Sequence, residues 1–181
     1  MSATINITEA QTISALASFL LACLPSGVEV VRAQDNRVPE PKGSNFVTMT
    51  PILRERLATN TDTTTDGYPD APGVLTAIQP VRVTIQVDVH GPASADNAQT
   101  ITTLFRDGWG VDKFAATGFT VAPLYCSDQR QLPFENGEHQ IEERYSIDCV
   151  MQANPIITVS QDFADKLGVG LIEVDAVYPP A

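Results

Sequence analysis

Between Val81 and His90 apolar and polar residues alternate without a break: Val81, Val83, Ile85, Val87 and Val89 against Arg82, Thr84, Gln86, Asp88 and His90. Successive side chains of a strand point to opposite faces, so this stretch specifies a strand with one buried face and one wet face. A sheet with one apolar face needs a cover. The sequence supplies it on both sides of the strand. Upstream, Thr8 and Gln11 have capping-box spacing, and Ile13, Leu16, Leu20 and Leu24 follow at helical intervals until Pro25-Ser26-Gly27. Downstream, Gly91-Pro92 breaks the strand and Ser94 is placed to cap a helix. Its apolar stripe is Ala98, Ile101, Leu104, Phe105 and Trp109, with an end near Gly108.

Further strands are predicted over residues 28–33 and 46–52, adjacent to each other, and over 119–125. A long strand carries Ile141, Tyr145, Ile147, Cys149 and Met151 on alternate positions, interrupted by Glu143, after a turn signal at Asn136-Gly137. Asn154-Pro155 marks a bend or edge. Residues 156–159 extend the sheet, 162–167 suit one or two helical turns, and 171–177 suit a last short strand. Residues 59–73 are rich in Thr, Asp, Pro and Gly without apolar period and read as an exposed loop or arm. The predicted fold class is α+β: one domain over 1–181, with a mixed, mostly antiparallel sheet and helices packed on one face.

Of 181 residues, 43% are hydrophobic and 18% charged, which suits a globular chain with a sizeable core. The net charge of −11 works against general adhesion to nucleic acid or anionic membrane. Charge is uneven: residues 132–181 hold nine acids and two bases, residues 25–60 four acids and five bases. Three cysteines, Cys23, Cys126 and Cys149, lack metal-ligand spacing and read as free, mostly buried thiols in a reducing compartment, hence cytoplasmic synthesis. The apolar run 13–24 is too short to span a bilayer. It is preceded by Glu9 and no Lys or Arg, so it reads as a core helix and not a signal peptide.

Two histidines make a search for chemistry short. Asp88 and His90 share a strand face that suits a divalent metal but shows no third ligand, so a solvated or interface histidine is the competing reading; His139 reads as a surface residue. Glu142 and Glu143 are neighbours on a strand and point to opposite faces. Gly108-Trp109-Gly110 reads as a helix end. No phosphate-binding loop, nucleophile elbow or zinc-protease helix occurs. No catalytic residue, cofactor or metal is predicted. The polar, proline-stiffened segment 34–43 is either a solvated hairpin loop or a projecting contact element. With the 59–73 arm it supplies the candidate subunit contacts Gln34, Asn36, Arg37, Pro39, Pro41 and Tyr68.

Several segments together resemble the tail terminator proteins of the neck of tailed bacteriophages. They are QDNRVPEPKG at 34–43, FVTMTP at 46–51, VTIQVDVHGP at 83–92, AQTITTLFRD at 98–107, PLY at 123–125, and EERY at 142–145 with the strand that follows into Asn154-Pro155. The resemblance runs in order from about Val28 to Phe163. It implies a virion protein without enzymatic activity, assembled in the host bacterial cytoplasm as a ring, typically of six subunits, where head joins tail. The implied partners are other copies of the chain, the tail tube protein and the head–tail connector or adaptor proteins. The genome passes through without specific binding, and no membrane is involved. A head-completion or adaptor protein of the same neck is the nearest alternative. A small α+β hydrolase or ligand-binding protein is the alternative from another class.

Overall fold

A computed structural model describes residues 3–33, 41–68, 70–135, 141–163 and 168–170, and these form twelve strands and three helices. They are β1 (Thr4–Ile5), α1 (Glu9–Cys23), β2 (Glu29–Arg32), β3 (Phe46–Arg56), β4 (Thr61–Thr65), β5 (Gly73–Ile78) and β6 (Val81–His90). Then come α2 (Ser94–Phe105), α3 (Gly108–Ala115), β7 (Val121–Cys126), β8 (Arg130–Gln131), β9 (Phe134–Glu135), β10 (Ile141–Glu142), β11 (Arg144–Ala153) and β12 (Ile156–Gln161).

The main sheet has the order β2-β3-β6-β11-β7, with β8 also paired to β11. Among the described residues, only the β2–β3 pair of this sheet is parallel. Segments 28–33 and 46–52 are therefore adjacent, as predicted, but they are not the two arms of a hairpin. Glu29 opposes Phe46 and Arg32 opposes Met49, so the intervening chain returns to the starting end of the sheet. The inward faces of β3, β6 and β11 meet all three helices in one core. Val83, Ile85, Val87 and Val89 are buried in the same core as Phe19, Phe105 and Phe114. The capping box of α1 forms: the Thr8 N–H donates to Gln11 Oε1 (2.8 Å), and the Gln11 N–H donates to Thr8 Oγ1 (3.3 Å). The α+β class with helices on one face is the observed one.

A second sheet, β1-β12-β5-β4, continues the first. Each of the three central strands passes into it: β3 into β4, β5 into β6 and β11 into β12. Hydrogen bonds cross the bend, from Leu57 N to Pro80 O (3.0 Å) and from Gln79 N to Pro155 O (3.1 Å). Pro80 and Pro155 contribute no N–H, which suits the places where the ladder changes direction.

Several local expectations are corrected. Segment 59–73 is not all loop: β4 lies within it and pairs with β5, because a run of threonines, β-branched and content in an extended backbone, gains a partner strand. Ser94 does not cap α2; it is the first helical residue and is buried, and the Ala93 N–H is satisfied by Asn45 Oδ1 (3.0 Å). Gly108-Trp109-Gly110 opens a helix instead of closing one. Asp107 caps α3 by accepting from Trp109 N (2.9 Å), and Gly110 lets α3 approach α2 so closely that a Cβ there would sit 2.2 Å from Leu104 O. The long strand begins at Arg144, and Ile141, in β10, is 81% exposed and not part of the core. The expected turn at Asn136-Gly137, His139, most of the helical turns over 162–167 and the strand over 171–177 lie outside the described residues; Asp162 and Phe163 are in no helix.

Candidate assembly surfaces

The bent sheet presents the second sheet as an arm. All five residues of β4 are exposed, and no strand pairs with its outer edge among the described residues. An uncovered edge leaves backbone N–H and C=O groups available to another chain. The turn after β4 is locally organised. Asp66 Oδ1 accepts from Tyr68 N (3.0 Å), and Ala71 N donates to Gly67 O (2.8 Å). Tyr68 stands on this turn 73% exposed, a large apolar ring with a polar tip held toward solvent. At its base the Phe163 ring lies directly over Gly73, where a Cβ would come within 1.9 Å of the ring.

Of the other predicted contact residues, Pro41 is half-buried beside Lys42, whose N–H donates to Glu29 Oε1 (3.1 Å). Gln34, Asn36, Arg37 and Pro39 lie outside the described residues. The structure adds a second surface that the sequence reading missed. The β3–β6 register shifts between Pro51 and Leu53, which leaves Ile52 without an opposite residue. Ile52 and Leu53 are each 55% exposed, beside a groove of about 220 Å³ lined by Glu9, Thr12 and Ile13 of α1. The signal was present as a doublet of apolar residues after a proline, which breaks the alternation of the strand.

The face of β6 opposite the helices is not wet at its end. Asp88 and His90 are both buried, which corrects the reading of His90 as solvated. His90 shares a rung with Phe46 and Arg144, and its ring stacks on Phe46 with centroids 4.4 Å apart and planes 7° from parallel. Burial lowers the His90 pKa, while the charge of Asp88 opposes that shift. Asp88 Oδ2 accepts from Gln86 Nε2 (2.8 Å), and its Oδ1 faces Arg144 Nε at 3.9 Å. A guanidinium thus occupies the third corner beside Asp88 and His90, an arrangement hostile to a bound cation. No group of three or more His, Cys, Asp or Glu side chains is placed to hold a metal among the described residues. Glu142 ends β10, while Glu143 lies between strands and its carbonyl accepts from Gly91 N (3.0 Å). No described helix is long and apolar enough to cross a membrane.

The described residues thus form an α+β sheet backed by helices on one side and extended into an exposed arm, whose outer strand edge has no described partner. Over residues 10–175 the chain matches the family model of phage neck terminator proteins, and it belongs to that family. It is thus grouped with structural components of the bacteriophage virion, in the region of the tail terminator. No curated protein matches it. Among solved structures it is similar to the sheath/tube terminator of an extracellular contractile injection system in its extended state, at 13% identity and a TM-score of 0.43. That likeness covers 97% of this chain and 66% of the other, so this chain spans just under two thirds of that protein's length.

Proposed function

We propose that this chain is a non-enzymatic structural subunit that forms a ring of six at the phage neck, ends the tail tube and joins it to the head connector or adaptor proteins. The observation that carries this reading is the family match over residues 10–175. The shape of the subunit supports it. A heterologous ring needs two different surfaces on each copy, and the exposed arm with β4 and Tyr68 and the exposed Ile52–Leu53 pair beside α1 offer two. Pro41 and Tyr68 are the proposed contact residues among those the structure describes, and segment 34–40 belongs to the same proposal. With −11 per copy, a ring of six carries roughly −66. Such a ring repels phosphate and lets DNA pass its lumen without binding. No cofactor, metal or membrane enters this role, and assembly takes place in the host cytoplasm. Cryo-EM of the assembled particle tests it: density for six copies between the head connector and the end of the tail tube is expected. Copies found only in the baseplate or inside the head would overturn it.

A further inference from the structure

We infer that Cys126 and Cys149 form an oxidisable pair, a modification site at which a small-molecule disulfide such as glutathione disulfide closes a covalent staple between β7 and β11. The two residues are register partners on adjacent antiparallel strands, and their sulfurs lie 3.5 Å apart. On the neighbouring rung Ser127 N donates to Asp148 O (3.0 Å), which makes 126/149 a non-hydrogen-bonded pair. Cα atoms on such rungs are about 4.5 Å apart, with the side chains at their closest. A disulfide accommodates Cα separations of about 4.4–6.8 Å, so closure asks for side-chain rotation and not for movement of the strands.

The two thiols differ in access. Cys149 is fully buried in the core, and Cys126 is half-buried at the outermost strand of the main sheet. Cys126 therefore meets the oxidant first. Its thiolate attacks one sulfur of glutathione disulfide; that S–S bond breaks and one glutathione leaves as a thiolate, which takes a proton from solvent. Cys149 then loses its proton and attacks the Cys126 sulfur of the mixed disulfide, expelling the second glutathione. Two protein thiols are oxidised by two electrons, and one glutathione disulfide is reduced to two glutathiones. Contact with the Cys126 sulfur and burial hold the Cys149 thiol well above its usual pKa, so the second step is the slow one. Cys23 is a built-in control. Its thiol donates to Leu20 O (3.4 Å), and burial raises its pKa to about 11.

Incubating the reduced full chain with glutathione disulfide tests the pair. The intact mass should fall by about 2 Da, the two hydrogens removed. Peptide mapping should join the Cys126 and Cys149 segments, and Cys23 should stay free. A staple across a loop of roughly 24 residues should raise the melting temperature by about 5–10 °C, reversibly with reductant. Cys23→Ser should close equally well, and Cys126→Ser should not close at all. The assignment is overturned by a link that uses Cys23, by a glutathione adduct on Cys126 that never resolves, or by thiols that stay reduced under conditions that oxidise the unfolded chain.

Discussion

Replacing Phe19 by alanine removes the keystone of the contact between α1 and the other helices. Phe19 is fully buried, with the rings of Phe105 at 5.4 Å edge-on, Phe114 at 5.5 Å stacked and Trp109 at 6.0 Å. Truncating a buried phenylalanine costs about 3–5 kcal/mol, and three aromatic neighbours that cannot follow the void put this site in the upper half of that range. Against a total stability of about 5–15 kcal/mol this is a large fraction. In a chain of this size it lowers the melting temperature by about 8–20 °C. Leu21, on the same helix but 61% exposed, is the control, and its alanine variant should stay within about 0.5 kcal/mol of the parent. Urea unfolding followed by the emission of Trp109, the single tryptophan, measures both variants. A loss below about 1.5 kcal/mol for Phe19→Ala, or equal losses for the two variants, would refute the docking of α1 through its Phe19 face.

Gly91→Ala should cost at least about 3 kcal/mol in the same assay, since φ is +99° and the new Cβ would lie 1.9 Å from Ser44 O. Gly27→Ala, at φ +95° in open space, should lose only the strain, about 1–2 kcal/mol. Because burial depresses the folded-state pKa of His90, its contribution is present above the unfolded value of about 6.5 and is lost as pH falls below it. Unfolding free energies measured between pH 7 and 5 should therefore drop, with a smaller slope in His90→Gln; an unchanged slope would count against a buried neutral imidazole. For the proposed ring, like charge on every copy predicts that added salt favours the oligomer. Native mass spectrometry and sedimentation across a salt series check this, and tight DNA binding at physiological salt would contradict it.

The backbone pattern of one strand and two helices was legible in the sequence because each records its own burial. The alternation from Val81 to Val89 sorts every valine and the isoleucine into the core. Thr8 and Gln11 carry a capping box that needs no distant partner. Cap and period are local physics, and residues a few positions apart decide them. Pairing is not local. Segment 46–52 reads as a strand alone, yet its parallel partner and the extension to Arg56 depend on which strands lie beside it. The threonines of β4 have no apolar period to announce them and become a strand only because β5 lies alongside. Trp109 continues the helical spacing of α2 in the sequence, but Asp107 and Gly110 turn the chain into α3.

The candidate surfaces divide the same way. Tyr68 and the 59–73 segment were visible as polar, proline-rich chain, but the arm exists because three strands bend together at 57–60, Gln79-Pro80 and Asn154-Pro155. Composition set the acidity of the subunit, and the order of its apolar periods set the α+β class. Only the tertiary structure buried His90 behind Phe46 and Arg144, and only it brought Cys126 within 3.5 Å of Cys149. Residues 23 apart in the chain meet through strand register, which is fixed by the packing of the whole sheet and by no single segment.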